Sequence, residues 1–323
     1  MPNPAPRLVY CVLSARSLPY ADVCLRSLFA RSVEPLRVTL VTDGPDDADA
    51  LTSAVGAMAV DPRHSWRVVG KAEVDRLADD QYAALPHLRA FRDGHPCWRK
   101  ITDPHLLASP GEEMVLIDPD VYFPNRFAFE PTPAAGLLLM YQKPNCLHPP
   151  ETVRAAFDAG VPMADHTDIG VCQATHPLDA EWLDWLVGRL GGRDLPWSMH
   201  VESVVWAALA ARAGGGYLNP EAWFCWHKTL RNRVRMKRRD PGAAILASER
   251  GRLSRAKCFH AGGPPKAWLA EAEAAGVLAS DRLLDAPTPV LPYVLYTRAR
   301  FERKHLVRGL ARKAGFYKVL GEN

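Results

Sequence analysis

Several features that define large protein classes are missing from this sequence. Its seven cysteines are scattered and include no Cys-x-x-Cys pair, which predicts buried reduced thiols rather than a disulfide or zinc framework. No stretch approaches eighteen uninterrupted apolar residues, so no membrane-spanning helix is predicted. The first residues lack the basic segment and long apolar core of a signal peptide. Together these absences predict a cytoplasmic location.

Charge and composition narrow the classes further. The formal net charge is only +4 and no nucleic-acid-reading motif is present, so we do not expect nucleic acid as a partner. With 24% charged and 48% hydrophobic residues, the composition is that of a folded globular protein. The 323 residues are enough for one large α/β domain or two modest ones.

The opening of the chain predicts a βαβ unit. Residues 8–13 form an apolar run typical of a buried parallel strand, residues 22–30 have helical apolar spacing, and residues 36–42 form a second strand. Further strands are predicted at 66–69, 114–117 and 135–141, and helices at 150–159, 181–190, 201–213 and 265–275. The predicted fold class is therefore α/β, with a mixed, mostly parallel sheet flanked by helices and a C-terminal helical extension.

Two carboxylates follow the best central strand of the chain. Asp118 and Asp120 come directly after the apolar residues 114–117, at the strand end where open α/β sheets bind ligands. Alternate residues in a strand-end turn can point the same way, and paired carboxylates there suit Mg²⁺ or Mn²⁺. Asp-Pro-Asp is also ordinary turn chemistry, so a surface turn is the alternative interpretation.

A second motif combines an imidazole, two glycines and a lysine. In the segment from His260 to Lys266, the histidine offers a nitrogen ligand that favours Mn²⁺ over Mg²⁺. Gly262 and Gly263 would let the backbone approach a phosphate closely, and Lys266 would supply a positive charge for it. The alternative is a Gly-Pro turn leading into a helix. With the two aspartates, this motif predicts a site for a metal ion and a diphosphate.

The pattern His-x-x-Gly-x-x-Lys-x-Trp, formed by His260, Gly263, Lys266 and Trp268, resembles the carboxyl-terminal signature of the metal-dependent retaining glycosyltransferases of family eight. That family includes glycogenin and bacterial lipopolysaccharide galactosyltransferases and has the glycosyltransferase A fold. The resemblance covers about residues 8–270. It implies a hexose donor linked to a nucleotide diphosphate, most simply UDP, and a saccharide or lipid-linked acceptor.

The resemblance also implies roles for individual residues. Asp118, Asp120 and His260 would hold Mn²⁺ or Mg²⁺, and the residues of the donor site would be Lys266, Gly263, Lys100, Arg99, Ser14 and Asp43. Asp168 and Glu202 would be catalytic, either stabilising the positive sugar and orienting its hydroxyls or acting as a transient nucleophile.

The sequence departs from the family pattern at several of these positions. Asp168 stands where the family has asparagine, Ser203 where it has glutamine, and Ala267 where it has proline. An aspartate expected soon after the first strand is missing from Ser14-Ala15-Arg16. These differences leave the donor base, the transferred sugar and the stereochemical outcome open.

Two other functions are compatible with the same motifs. The apolar strand ending in Asp-x-Asp also resembles the nucleophile loop of haloacid-dehalogenase-type phosphohydrolases, in which Asp118 would be the nucleophile. However, that family places its motif near the start of the domain and follows it with threonine or serine, whereas Val121 follows here. A catalytically silent nucleotide-binding protein is the other alternative.

Two basic segments lie in the second half of the chain. Residues 227–239 hold the densest positive charge, and residues 298–318 form a predicted basic amphipathic helix. Either segment could be a solvated face, attract a phosphorylated or lipid-linked acceptor, or contact an anionic membrane surface peripherally. The proline-containing residues 285–292 are predicted to form a linker or an extended segment lying over the domain. We therefore predict a catalytic domain at 1–284 and a linker with a basic helix at 285–323.

Overall fold

A computed structural model of the chain describes residues 5–42, 44–175 and 178–313. The strands are β1 (Arg7–Val12), β2 (Leu36–Val41), β3 (Ser65–Val69), β4 (Glu113–Ile117), β5 (Val121–Tyr122), β6 (Arg126–Phe127), β7 (Leu137–Tyr141), β8 (Met163–Ala164), β9 (Thr167–Thr175), β10 (Gly215–Tyr217), β11 (Trp223–Cys225), β12 (Cys258–His260), β13 (Leu283–Leu284), β14 (Leu291–Pro292) and β15 (Leu295–Tyr296). The helices are α1 (Leu18–Arg31), α2 (Asp47–Gly56), α3 (Lys71–Gln81), α4 (Pro86–Arg92), α5 (Arg99–Leu107), α6 (Pro150–Asp158), α7 (Ala180–Leu190), α8 (Val201–Ala213), α9 (Leu230–Lys237), α10 (Gly242–Ala247), α11 (Arg250–Leu253), α12 (Leu269–Ala274) and α13 (Arg298–Lys313), and short 3-10 turns occur at Ala15–Ser17, Pro96–Trp98, Gly192–Asp194 and Pro264–Trp268.

One central sheet contains eleven of the described strands. Its order is β3-β2-β1-β4-β9-β7-β11-β12-β5, with β10 also beside β7 and β14 beside β10. The strands β3, β2, β1 and β4 run parallel to one another, as do β7, β11 and β12. Strand β9 is antiparallel to both β4 and β7, and β5 is antiparallel to β12. The predicted fold class, a mixed and mostly parallel α/β sheet flanked by helices, is confirmed.

The apolar run of β1 is explained by burial on both faces of the sheet. Val9 and Cys11 pack in one hydrophobic cluster with residues of α1, including Leu25. Tyr10 and Val12 face the opposite cluster, which includes Ile101 of α5. Helices therefore cover both faces of the sheet. This is why the apolar run of β1 is continuous and does not alternate between apolar and polar side chains.

Strand β9 was not predicted, and it decides the layout of the site. Because β9 runs antiparallel to β4, its first residues lie beside the last residues of β4: Val171 pairs with Ile117, and the Asp118 amide donates to the Gly170 carbonyl at 2.9 Å. This register carries Asp168 to the same edge of the sheet as the aspartates after β4.

The strand β12 brings the histidine motif to that edge as well. His260 is its last residue and pairs with Val121 of the antiparallel strand β5, which begins directly after Asp120. The Ala261 amide also donates to the Asp120 carbonyl at 2.9 Å. The backbone pairing of two short strands therefore sets Asp120 next to His260.

The C-terminal segment runs along the domain as extended chain. Its strands β13, β14 and β15 pair with β6, β10 and β8, respectively. The buried carboxylate of Glu130 accepts hydrogen bonds from the amide and hydroxyl of Thr288, both at 2.7 Å, and pairs with Lys257 at 3.0 Å. Of the two alternatives for residues 285–292, the structure shows the extended segment over the domain. The division at residue 284 stays a prediction.

The basic helix α13 packs on the domain through one face. Phe301 is buried near Phe157 and Tyr296, and Arg300 pairs with the buried Asp165 at 2.5 Å. The predicted end of this helix, at residue 318, lies outside the described residues. None of the described helices combines the length and the apolar character needed to cross a bilayer.

Candidate active site

Asp118, Asp120 and His260 converge although they lie on distant parts of the chain. Each side chain offers one ligand atom, and these three atoms all lie within 4.8 Å of one another. His260 Nε2 is 3.3 Å from Asp120 Oδ1 and 3.7 Å from Asp118 Oδ2. Ligands in adjacent positions around an ion at about 2.1 Å lie roughly 3 Å apart, so modest adjustment fits this set to Mn²⁺ or Mg²⁺. All three residues are buried, with exposures of 7–8%. The residues present therefore fit a divalent metal ion.

The other nitrogen of His260 contacts Asp168. Its Nδ1 lies 2.7 Å from Asp168 Oδ1, which also accepts a hydrogen bond of 2.8 Å from the Gly170 amide. When Nδ1 carries the proton and donates to this carboxylate, Nε2 faces the two aspartates as an electron-pair donor. A carboxylate behind a ligating histidine holds the ring orientation and raises its basicity. This geometry gives Asp168 a positioning contact with His260.

The backbone of Gly170 lies directly against the imidazole ring. A Cβ atom at this position would come within 2.6 Å of His260 Cγ and Nδ1. Real Cβ contacts essentially never come this close, so a side chain here would displace the ring. Glycine at this point of β9 is explained by the close approach of histidine.

Lys100 joins the metal ligands to Glu202. Its ammonium, which extends from α5, lies 2.9 Å from Asp118 Oδ1 and 2.8 Å from Glu202 Oε1. Burial alone would lower the pKa of Lys100, but the adjacent Asp118 and Glu202 carboxylates raise it well above its ordinary value. Burial raises the pKa of Glu202 to about 8, with Lys100 opposing this shift. Lys100 thus holds two acidic groups together in a buried environment.

Charges among the ligands explain their protonation. Burial alone would lower the pKa of His260, but Asp168 and Asp120 raise it well above its ordinary value. Burial alone would raise the pKa of Asp120 and of Asp168, yet His260 lowers both. Burial raises the pKa of Asp118, with a further contribution from the neighbouring Asp120. Because a metal needs the neutral imidazole, its binding must release the proton from Nε2.

Two cavities meet at these residues. The larger, of about 500 Å³, is lined on its acidic side by Asp118, Asp120, Asp168 and Glu202. The smaller, of about 190 Å³, lies towards the end of β1 and is lined by Ser14, Ser17 and Tyr20, among others. Lys100, Asp118, Asp120 and Lys266 line both cavities. Two of the candidate metal ligands, Asp118 and Asp120, therefore stand at the junction of two binding spaces, and His260 faces the larger one.

The loop after β12 places Lys266 over the same junction. Gly263 has a φ of +78°, a conformation that glycine adopts without steric cost, and it lines the larger cavity. After this turn, Lys266 Nζ lies 4.0 Å from Asp120 Oδ2 and 5.4 Å from the centroid of the Tyr20 ring. A phosphate bound at Asp120 would lie within reach of this ammonium.

The remaining predicted residues are placed differently. Ser14 lines the smaller cavity, and its role in donor binding stays a prediction. Arg99 is buried on α5 and lines neither of the two cavities, so the site described here does not include it. Asp43 lies outside the described residues.

Sequence reasoning missed Cys225. It ends β11, beside His260 in the parallel pairing with β12, and its sulfur belongs with Asp168 and His260 to a second group of close ligand atoms. The apolar run 223–225 ends in a cysteine, but only the register with β12 indicates its neighbour. Tyr20 and Met199, which line the smaller cavity, were also missed.

Comparisons with known proteins describe the architecture only. No protein-family model matches the sequence, and no curated protein gives a significant match. Among solved structures, mouse xyloside xylosyltransferase 1 matches with a TM-score of 0.44 and 12% identity over 79% of this chain and 96% of that chain. Galactosyltransferase LgtC in complex with donor and acceptor sugar analogues matches with a TM-score of 0.47 and 14% identity over 84% and 96%. The mannosyltransferase Ktr4p from S. cerevisiae matches at 0.41 and 10% over 64% and 66%. At these values the likeness carries no argument about function.

Proposed function

We propose that this protein is a metal-dependent glycosyltransferase that moves a hexose from a nucleotide diphosphate donor, UDP-linked in the simplest case, to a saccharide or lipid-linked acceptor. The observation that carries the proposal is the convergence of His260 with Asp118 and Asp120, the two acids at which the two cavities meet. A donor of this class has three parts in a row, namely a nucleoside, a diphosphate and a sugar. The site offers a pocket, a cation-binding centre and a second pocket in the same order.

The chain supplies two kinds of group for the diphosphate. A divalent ion held by Asp118, Asp120 and His260 would neutralise the charge that develops on the departing nucleotide. Lys266 would add a positive charge from the loop, close to Asp120. Both groups act where negative charge increases in the transition state, which is the largest single source of catalysis in most enzymes.

The smaller cavity is proposed for the nucleoside and the larger for the hexose. Ser14 and Ser17 offer hydroxyl groups in the smaller cavity, and the Tyr20 ring offers a flat surface. In the larger cavity the hexose would lie near Glu202 and Lys100, which can hydrogen-bond to its hydroxyls. The bond between the anomeric carbon and the phosphate oxygen breaks, and its electron pair stays on the departing nucleotide. The acceptor oxygen then bonds to that carbon, and its proton passes to the departing phosphate.

Asp168 has a different place in this mechanism from the predicted one. Because Oδ1 is engaged by His260 Nδ1 and the Gly170 amide, we propose that Asp168 chiefly orients the metal-binding histidine. Retention of the anomeric configuration is proposed from the family resemblance, with the acceptor attacking from the face that the nucleotide leaves.

A thermal-shift screen tests this function directly. Purified protein is heated with UDP-, GDP-, CMP- and dTDP-sugars, with and without Mn²⁺, followed by EDTA. We expect UDP-sugars to raise the melting temperature only with Mn²⁺, and slow Mn²⁺-dependent hydrolysis of the same UDP-sugar. Asp120→Asn should remove both effects, whereas Asp240→Asn, at a half-buried ion pair with Arg235, should not.

Two results would contradict the proposal. One is equal stabilisation by every nucleotide regardless of chelation, which would indicate nucleotide binding without a metal centre. The other is a beryllium fluoride adduct on Asp118 together with phosphatase activity, which would indicate the phosphohydrolase alternative.

A further inference from the structure

The larger cavity is lined by charges of both signs. All four of its acidic residues, Asp118, Asp120, Asp168 and Glu202, belong to the metal-binding end. Its wall also includes Lys100 and Lys266, which lie beside these acids, and three further cations: Lys228 from the segment before α9, Arg233 from α9 and Arg308 from α13. Cations on the wall of a cavity attract anions to it.

Ion pairing distinguishes Lys228 and Arg308 from other cations on α9 and α13. Arg235 of α9 pairs with Asp240 at 2.8 Å, and Arg300 of α13 pairs with Asp165 at 2.5 Å. In contrast, neither Lys228 nor Arg308 forms an ion pair with any carboxylate among the described residues. Cations that are left without counter-charges beside a cavity favour an anionic ligand there.

Neighbouring titratable groups report the same positive potential. Burial, together with Lys304 and Arg308, lowers the pKa of His148, a residue of the cavity wall, to about 4. Burial and Arg308 also lower the pKa of Lys304 to about 8. This part of the molecule therefore disfavours additional positive charge.

The donor does not use these cations. In the proposed function, its nucleoside lies in the smaller cavity and its diphosphate lies at the metal ligands and Lys266. None of Lys228, Arg233 and Arg308 lines the smaller cavity. An anion bound by them therefore belongs to the second substrate.

On this basis we infer that the acceptor is a phosphorylated saccharide, whose phosphate is bound by Lys228, Arg233 and Arg308 while its sugar hydroxyl faces the donor hexose. The inference rests on the proposed function and adds the chemical class of the acceptor. Arginine and lysine together suit this ligand, because the guanidinium binds two phosphate oxygens and the ammonium adds a point charge. The phosphate can belong to a soluble sugar phosphate or to a lipid-linked one.

The test measures acceptor binding on the full chain after donor-site occupancy has been established. UDP with Mn²⁺ is first shown to bind by calorimetry. To this complex we add matched probes: a panel of hexose 1-phosphates, the corresponding methyl hexosides, and a polyprenyl phosphate sugar in neutral detergent micelles. We expect at least one phosphorylated probe to bind at least about tenfold more tightly than its neutral counterpart, with an affinity that falls as salt rises.

Variants connect the binding to the cavity. Lys228→Gln with Arg308→Gln should weaken the phosphorylated probe about tenfold or more and leave the affinity for UDP with Mn²⁺ unchanged. The control is Arg231→Gln with Arg303→Gln. It removes two exposed cations of α9 and α13, neither of which lines the cavity, and it should change probe affinity less than about twofold.

Each outcome decides the inference. Preference for the soluble phosphate or for the micellar lipid phosphate supports it and identifies the source of the phosphate. Equal binding of neutral and phosphorylated probes, or equal loss in the cavity variant and its control, overturns it. If UDP with Mn²⁺ binds and no phosphorylated probe does, only the acceptor inference fails. Absence of binding by UDP with Mn²⁺ counts against the proposed function itself.

Discussion

The Nδ1 atom of His260 lies 2.7 Å from Oδ1 of Asp168, although the two residues are 92 positions apart in the chain. The contact turns the opposite ring nitrogen, Nε2, towards Asp118 and Asp120. A single half-buried carboxylate therefore selects the tautomer of the proposed metal ligand and holds its ring. This relationship makes the metal site depend on a residue that need not touch the metal.

Replacing Asp168 by asparagine should weaken metal binding. The amide keeps the size of the side chain but loses the charge that makes the imidazole a better ligand, so we expect Mn²⁺ affinity to fall about 10–100-fold. Titration of Mn²⁺ followed by electron paramagnetic resonance measures this affinity without any activity assay. Asp158→Asn, at an exposed carboxylate that pairs with Arg298, is the matched control. Unchanged Mn²⁺ affinity combined with lost activity would instead favour the catalytic role first predicted for Asp168.

Replacing Gly170 by alanine should disturb both stability and metal binding. The new methyl group would lie 2.6 Å from the His260 ring, so the ring or the strand must move. We expect a loss of about 1–3 kcal/mol in the free energy of unfolding and weaker Mn²⁺ binding. Denaturant unfolding with and without Mn²⁺ measures both. In Gly251→Ala no atom lies within 4 Å of the new carbon, and stability should be unchanged or slightly increased. Equal stability of the two variants would show that the ring has room to move.

Replacing Lys100 by methionine should destabilise the protein in the absence of metal. The change leaves two buried acids, Asp118 and Glu202, without their shared cation, and breaking a buried pair in this way costs about 3–5 kcal/mol. The second change Glu202→Gln should recover part of this loss, because it removes one of the uncompensated charges. Denaturant unfolding of the four proteins in this cycle gives the coupling. Lys71→Met, at a more exposed pair with Asp75, should cost less than about 1 kcal/mol. Additive effects of Lys100→Met and Glu202→Gln would contradict the bridging role.

The stability of the protein should depend on pH through His148. Burial, together with Lys304, Arg308, His200 and His305, lowers the pKa of this histidine from 6.5 to about 4. In that pH range the unfolded chain binds a proton at this position that the folded chain does not. Stability therefore falls as the pH drops from about 6.5 towards 4.

His148→Gln should reduce this dependence, which denaturant unfolding at several pH values measures. Arg308→Gln should raise the pKa of His148, which nuclear magnetic resonance titration of the ring reports directly. Titration of His148 at its ordinary value in the unmodified protein would remove the argument for a positive potential at this end of the cavity.

Much of the sheet could be read from local patterns. The strand–helix–strand opening was predicted because β1 and β2 are buried on both faces and are therefore apolar throughout, and α1 carries its apolar side chains at helical spacing. Strand β9 was missed for an equally local reason. Its sequence begins with a charged residue and a glycine, Asp168 and Gly170, which interrupt the apolar pattern of a central strand.

The sequence by itself determined the types of group at the site: two acids after a buried strand, and an imidazole followed by glycines and a lysine. These signals are local, since strand ends and glycine turns need only a few neighbouring residues. Tertiary structure alone decided which groups meet. The antiparallel register of β9 against β4 puts Asp168 behind His260, and the packing of α5 puts Lys100 between Asp118 and Glu202. It likewise put Arg308, from the last described helix, at the larger cavity. Such contacts depend on how distant segments pair and pack. The residue types at the site do not by themselves specify that pairing and packing.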